Sequence, residues 1–141
     1  MISEDKSRIS HLSEEASWAF LLSETVGRLA VTDGAQPDIF PLNYVGHEGK
    51  VYFRTGEGTK LHQLVVDSHV AFEADGSDDT TAWSVVVSGS ARAIESPDMV
   101  EVLNGLPLPP FAPTLSYVWV EIKPIEMRGR SFTMDPELKH N

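Results

Sequence analysis

Lys50–Leu64 reads KVYFRTGEGTKLHQL, and the rest of the chain is read from this stretch outward. Val51, Phe53 and Thr55 alternate with Tyr52 and Arg54, the period of two that a half-buried strand requires, in residue types that favour one. Gly56 and Gly58 end the strand, and Thr59 stands where it can cap a helix opened by Lys60, with Leu61, Leu64 and Val65 as its apolar side. Glycines let backbone N–H groups approach a ligand, and helix starts attract anions. With Arg54 and Lys60 beside those donors, the stretch has the chemistry of a phosphate grip. It does not specify a ligand alone. GEGTKL lacks the glycine spacing of a P-loop, and Leu61 occupies the place of the third glycine in a dinucleotide fingerprint. Strand, glycine turn and capped helix is also an ordinary connection.

On the N-terminal side, Ser13-Glu14-Glu15 predicts the start of a helix running to about Thr25. Leu12, Ala16, Ala19 and Phe20 recur on one face. Trp18, Leu21 and Leu22 form a second apolar face for neighbouring strands or another subunit. VGRLAVT (26–32) is a strand, Asp33-Gly34 a turn, and a second strand runs from about Asp38 to Val45. Pro41 cannot donate to a ladder, so that strand lies at an edge or carries a bulge. Its unpaired backbone can face a ligand, with the Asn43 amide beside it, or can equally protect the edge from aggregation.

On the C-terminal side, a strand begins near Val70, Asp75–Thr81 is a polar loop, and Trp83–Ile94 is a long strand. Trp83, Val85, Val87, Gly89 and Ala91 share one face of it, and Gly89 marks a bend suited to closing a barrel. Ser96-Pro97-Asp98 opens a helix ending at Gly105. LPLPPFAP (106–113) is an extended connector, and Tyr117–Ile122 is a strand that resumes beyond Pro124 towards Arg128. About six strands and two or three helices predict a mainly β (α+β) antiparallel barrel, closed or partly closed, with peripheral helices. The expected organisation is a flexible segment 1–12, one domain over 13–134 and a flexible tail 135–141.

The 141 residues suit one domain with one proper core. Eleven Lys and Arg against 21 Asp and Glu give a net charge of −10, which disfavours nucleic acid and anionic membranes. No cysteine is present, so disulfides, thiolate metal sites and a cysteine nucleophile are excluded. The polar, acidic start MISEDKSRISHLSEE is neither signal peptide nor membrane span, and a cytoplasmic protein is expected. The five histidines lack zinc-site spacing, no serine sits in a nucleophile elbow, and Asp75, Asp78 and Asp79 lack the ligand ladder of a calcium loop.

VGRLAVTDG, PDIFPLNYV, VYFRTGEGTKL, WSVVVSGSARAI and EMRGRSF, in this order and spacing from Leu12 to Phe132, resemble the pyridoxamine 5′-phosphate oxidase-like family of FMN-binding split β-barrels. The resemblance implies a split barrel and a homodimer with two FMN sites at the subunit interface. It places the phosphate on Arg54, Thr55, Gly58, Thr59 and Lys60, and the flavin ring along Pro41, Leu42 and Asn43. Trp83, with Trp119, either walls that pocket from the partner subunit or belongs to the core. Close variants of the family use a deazaflavin, and haem is a further alternative. Arg128 and Arg130 do not align with the substrate-binding basic residues of the better-known oxidases, so vitamin B6 oxidation is not implied. A flavin carries the hydride itself, so no catalytic residue is named. The implied activity is an FMN-dependent oxidoreductase acting on a small molecule, with a nicotinamide donor. The alternative is a binding or carrier module, or an empty dimeric barrel. Arg54 and Lys60 are expected on surfaces where solvent or ligand is the neighbour.

Overall fold

Alternation of apolar and polar residues builds the sheet. A computed structural model describes residues 9–109 and 115–133. In chain order the elements are β1 (Ile9–Leu12), α1 (Glu14–Leu22), β2 (Val26–Thr32), β3 (Pro37–Asn43), β4 (Val45–His47), β5 (Lys50–Gly56), α2 (Lys60–Val65), β6 (His69–Ser77), β7 (Thr81–Ala93), α3 (Pro97–Asn104) and β8 (Tyr117–Thr133). The eight strands form one antiparallel sheet in the order β3-β2-β6-β7-β8-β5-β4, with β1 added to β8.

β3 and β4 lie at opposite ends of that order, yet only Tyr44 separates them in the chain. One kinked segment therefore carries the backbone from one edge of the sheet to the other, and the sheet must curl. This is a split barrel. Tyr44 is 2% exposed and its hydroxyl donates to the Leu21 carbonyl at 2.6 Å. Its N–H donates to the Thr25 carbonyl at 3.0 Å, and its ring stands edge-on to Phe72. Burial pushes the hydroxyl's pKa upward, as expected of a phenol kept neutral for its hydrogen bond.

Inside the curl, Leu29, Phe53, Phe72, Val85, Val87, Val120 and Ile122 are fully buried. α1 plugs this core with Leu21, stacks Phe20 on Trp83 at 5.0 Å, and sets Ser17 against Gly129, where a Cβ would lie 2.1 Å from the Ser17 hydroxyl. A second cluster of Tyr52, Ile94, Leu103 and Trp119 lies beneath α3 on the other face of β5 and β8. Buried there is Glu121, which accepts from Tyr52 Oη at 2.8 Å and from Arg92 Nε at 2.9 Å.

The bend expected at Gly89 is present. The register of β7 with β8 slips between Ser88 (opposite Glu126) and Gly89 (opposite Pro124), leaving Ile125 as the extra residue of a bulge. Two strands go beyond the six expected. β4 is a three-residue strand of a hairpin with β5, turned by Glu48 and Gly49, both at positive φ. β1 corrects the assignment of 9–12 to a flexible segment: it pairs with Gly129–Phe132, the part of β8 that β5 does not reach. α1 stops at Leu22 rather than near Thr25, because the Ser23 hydroxyl takes the Phe20 carbonyl at 2.6 Å. The polar loop shrinks to 78–80, since β6 continues through Ser77. The expectations for residues 1–8, for the connector at 110–113 and for the tail fall outside the described residues. No helix among the described residues is long and apolar enough to cross a membrane.

Burial raises the Glu121 carboxyl, but hydrogen bonds from Arg92 and Tyr52 outweigh it and hold the group below its ordinary 4.5. A folded pKa below the unfolded one contributes stability that is present above about pH 4.5 and lost as pH falls through the folded value. Glu121→Gln should therefore cost roughly 1.5–3 kcal/mol at pH 7 and flatten the acid side of the melting profile. Wild-type melting at pH 7 would overturn the assignment.

Candidate functional site

The β5–α2 turn is shaped by its glycines and by one threonine. Gly58 has φ +77° and open space where a side chain would project. Thr59 caps α2 as its sequence position predicts: Oγ1 accepts from the His62 N–H at 3.2 Å and donates to the Gly56 carbonyl at 2.8 Å. Gly58 N–H donates to His62 Nδ1 at 2.9 Å. Thr55, buried on the core face of β5, has its hydroxyl 3.3 Å from that of Thr59.

Lys60 extends from the start of α2 to Asp38 on β3, Nζ to Oδ2 3.0 Å, and holds that carboxyl below its usual range. α2 thus bridges the seam between β5 and β3, beside a cleft of about 170 Å³ lined by Asp33, Gln36, Pro37, Asp38, Lys60 and Leu64. β3 is an edge strand, as Pro41 requires; its register sets Pro41 opposite Arg28, Leu42 opposite Gly27 and Asn43 opposite Val26. Leu42 packs on the core while Pro41 and Asn43 are exposed. The structure therefore gathers Thr55, Gly58, Thr59 and Lys60 on one side of the seam and carries Pro41, Leu42 and Asn43 on the strand at the other.

Arg54 does not join them. Successive strand residues point to opposite faces, so with Thr55 on the core face Arg54 lies on the other. There its guanidinium sits over the rings of Tyr117 and Trp119, 5.4 and 5.1 Å from their centroids, and donates to the Pro109 carbonyl. The expectation of a solvent-facing Arg54 beside Lys60 is corrected by the same alternation that identified the strand. Trp83 is 7% exposed within the main core, and Trp119 is buried beneath α3 with Nε1 donating to Asn104 Oδ1 at 2.8 Å. Both tryptophans pack within this chain.

One charged cluster escaped the sequence. Arg28 on β2 binds Glu73 at 2.6 Å and Asp75 at 2.8 Å, both on β6. Burial, then the neighbouring Asp75, push the Glu73 carboxyl upward against the pull of Arg28. Two acids at i and i+2 in a strand share a face, which is the available signal, but their partner depends on which strand pairs with β6. Among the described residues no group of His, Cys, Asp or Glu could hold a metal ion. The turn offers hydroxyls and one exposed ammonium beside a Gly58 that carries no side chain and gives its N–H to His62, a donor set for an anion rather than a nucleophile with its base.

The family model described as pyridoxamine 5′-phosphate oxidase matches residues 13–131. The chain belongs to this family. An uncharacterized protein of Mycobacterium tuberculosis is 38% identical over 87 residues, covering 62% of this chain and 79% of the relative. The solved FAD binding protein from Mycobacterium smegmatis is 35% identical with a TM-score of 0.83, over 89% of this chain and all (100%) of that one. A FAD and heme binding protein from the same organism shares the fold at 10% identity and a TM-score of 0.72, over 94% of this chain and 78% of that one.

Arg54→Ala should lower ligand-free stability by about 1–3 kcal/mol, through lost ring contacts and a stranded Pro109 carbonyl. Lys60→Ala, which removes an exposed ion pair, should stay within about 0.5 kcal/mol of wild type. Equal melting temperatures for the two variants would show that Arg54 is not held in the packing.

Proposed function

We propose that this protein is a flavin-dependent oxidoreductase that holds FMN at the β5–α2 turn and acts as a homodimer on a small molecule, with a nicotinamide donor. The observation that carries the proposal is the likeness to the FAD binding protein of M. smegmatis, which extends over nearly the whole of both chains. The turn supports it. An exposed Lys60–Asp38 pair is a weak bond, so a phosphate can replace Asp38 as the partner of the ammonium. Gly58 has nothing within 4 Å of a would-be side chain, so a phosphate can come close there, although the Gly58 N–H reaches it only by leaving His62 Nδ1. Thr55 and Thr59 add hydroxyls, while Arg54 and Trp83 contribute packing. FMN and FAD share the first phosphate, so the same contacts serve either.

When bound, the flavin accepts and returns the hydride. The chain's own residues bind the phosphate, set the ring along Pro41–Asn43 and exclude water. A homodimer is supported by apolar side chains left exposed on the sheet and its edges: Val26 47%, Ile39 64%, Ile125 70% and Phe132 41%. A second reading, a carrier that holds flavin without turnover, is favoured by the relative's being described as a binding protein. Reduction of bound flavin by a nicotinamide, followed in the visible spectrum, separates the two.

Fluorescence titration should give tighter binding of FMN than of riboflavin, which lacks the phosphate. Lys60→Ala should weaken FMN about tenfold to a hundredfold, from the roughly 1.5–3 kcal/mol of a charge-assisted hydrogen bond, and leave riboflavin unchanged. FMN should also raise the melting temperature of the wild type more than that of the variant. Equal FMN and riboflavin affinities would remove the phosphate from this turn.

A further inference from the structure

Gly58 brings a backbone donor to the β5–α2 turn, and that donor is already engaged. The residue is exposed, stands at φ +77° and has no side chain to shield its backbone, yet its N–H donates to His62 Nδ1 at 2.9 Å. The first turn of α2 thus holds both polar atoms of Gly58, since Gln63 Nε2 lies 3.5 Å from its carbonyl. His62 is anchored separately through its own backbone. Its N–H donates to Thr59 Oγ1 at 3.2 Å, so the ring can turn away from Gly58 without disturbing the cap.

The direction of that hydrogen bond fixes the state of the ring. A backbone N–H can only donate, so Nδ1 carries the lone pair and the ring's single proton lies on Nε2; the bond requires a neutral imidazole. An imidazolium carries a proton on both nitrogens, and its Nδ1–H would then oppose the Gly58 N–H across the same gap. The ring cannot stay. Once it leaves, the Gly58 N–H comes free and a cation joins Lys60 on the first turn of α2, and both changes favour an anion. The charged groups around the ring are Glu57 ahead of Gly58, Asp67 beyond α2, and Lys60 with Asp38, whose carboxyl it holds below its usual range. On the two strands packed against α2, Lys50 opens β5, Arg54 lies on its far face over Tyr117 and Trp119, and Arg28 of β2 is bound by Glu73 and Asp75. His62 is the histidine among these groups.

We propose that His62 is a positioning residue of the phosphate site: with a neutral ring it holds the Gly58 N–H back from the ligand, and on protonation it releases that donor to a phosphate and adds a charge. The residue therefore sets how strongly the turn prefers a flavin that carries a phosphate over one that does not, and the preference grows as pH falls. By linkage, a phosphate that binds here draws a proton onto the ring. The inference rests on the phosphate site of the proposed function and names the residue that makes it sensitive to pH.

Titrations of the wild type and His62→Leu with FMN and with riboflavin test it, at about pH 8 and about pH 5.5, which span the range in which a histidine ordinarily gains its proton. At the higher pH the leucine variant, whose Gly58 N–H has no ring to hold it, should bind FMN about twofold to tenfold more tightly than the wild type, the worth of the neutral hydrogen bond that the wild type gives up. At the lower pH the order should reverse, because the wild type then has the same free donor and an added charge. Riboflavin should show no reversal. Comparing the two proteins at one pH removes the effect of FMN's own phosphate, which takes up a proton at about pH 6. In the ligand-free wild type the Gly58 amide resonance should move with the titration of the His62 ring, and in the leucine variant it should stay in place. His62→Gln, whose side chain does not titrate, should also lose the dependence on pH and serves if the leucine variant does not fold. A ratio of wild-type to variant affinity that is the same at both pH values, or a Gly58 resonance indifferent to the ring, would overturn the role of His62 and leave the phosphate site standing. FMN binding no tighter than riboflavin at either pH would remove the site, and this inference with it.

Discussion

One buried phenol joins the two ends of the sheet. Tyr44 sits where a continuous run of chain leaves the β2 edge and joins the β5 edge, and its hydroxyl is tied to the last turn of α1 through the Leu21 carbonyl. Without that anchor the segment has two competing continuations, since β3 can prolong its pairing with β2 or β4 its pairing with β5. The anchor fixes where the exchange occurs. From it follow the curl of the sheet, the seam bridged by α2 and the enclosure of α1 against the core. A buried donor without its acceptor costs about 1–3 kcal/mol, so the position of the helix and the corner of the barrel are specified together.

Much of this was legible because it depends on local chemistry. The alternation in β5 and β7, the caps Thr59 and Ser96, the Asp33-Gly34 turn, the edge placement demanded by Pro41 and the bend at Gly89 each follow from a few neighbouring residues. The order of five such segments was enough to identify the family, which the match over 13–131 bears out. What was not legible depends on which strands become neighbours. β1 is four residues with little pattern, and it becomes a strand only because β8 outruns β5. Of the candidate site, the cluster Thr55, Gly58, Thr59 and Lys60 was readable from one stretch. The partnership of Lys60 with Asp38 was not, because it crosses the seam. The face of Arg54 was implied by the alternation, but its company, Trp119 and the Pro109 carbonyl, comes from the far side of a crossover.

Among the described residues, four cations are held by carboxylates. Lys60 holds Asp38, Arg28 holds Glu73 and Asp75, Arg92 holds Glu121, and Arg128 holds Glu126. An anion that binds at Lys60 must displace the Asp38 carboxylate rather than meet a waiting charge. The exposed pairs exchange at little cost, whereas the Arg92 pair ends on a buried carboxylate and does not. Salt therefore weakens both a resident pair and an arriving phosphate at Lys60, and the net effect on binding is smaller than for a free cationic patch.

β8 receives β7 along most of its length, β5 on its first half and β1 on its last. Ile9 lies opposite Phe132, so strands from the two ends of the described chain share a ladder. A ribosome releases the strands in the opposite order of need: β1, β5 and β7 all emerge before the one strand that joins them. Until β8 appears, each presents an unpaired edge, and the part-sheets β3-β2-β6-β7 and β5-β4 have no strand to join them. A topology dominated by such distant pairings folds slowly. The interval before β8 arrives is when self-association by strand pairing competes with folding.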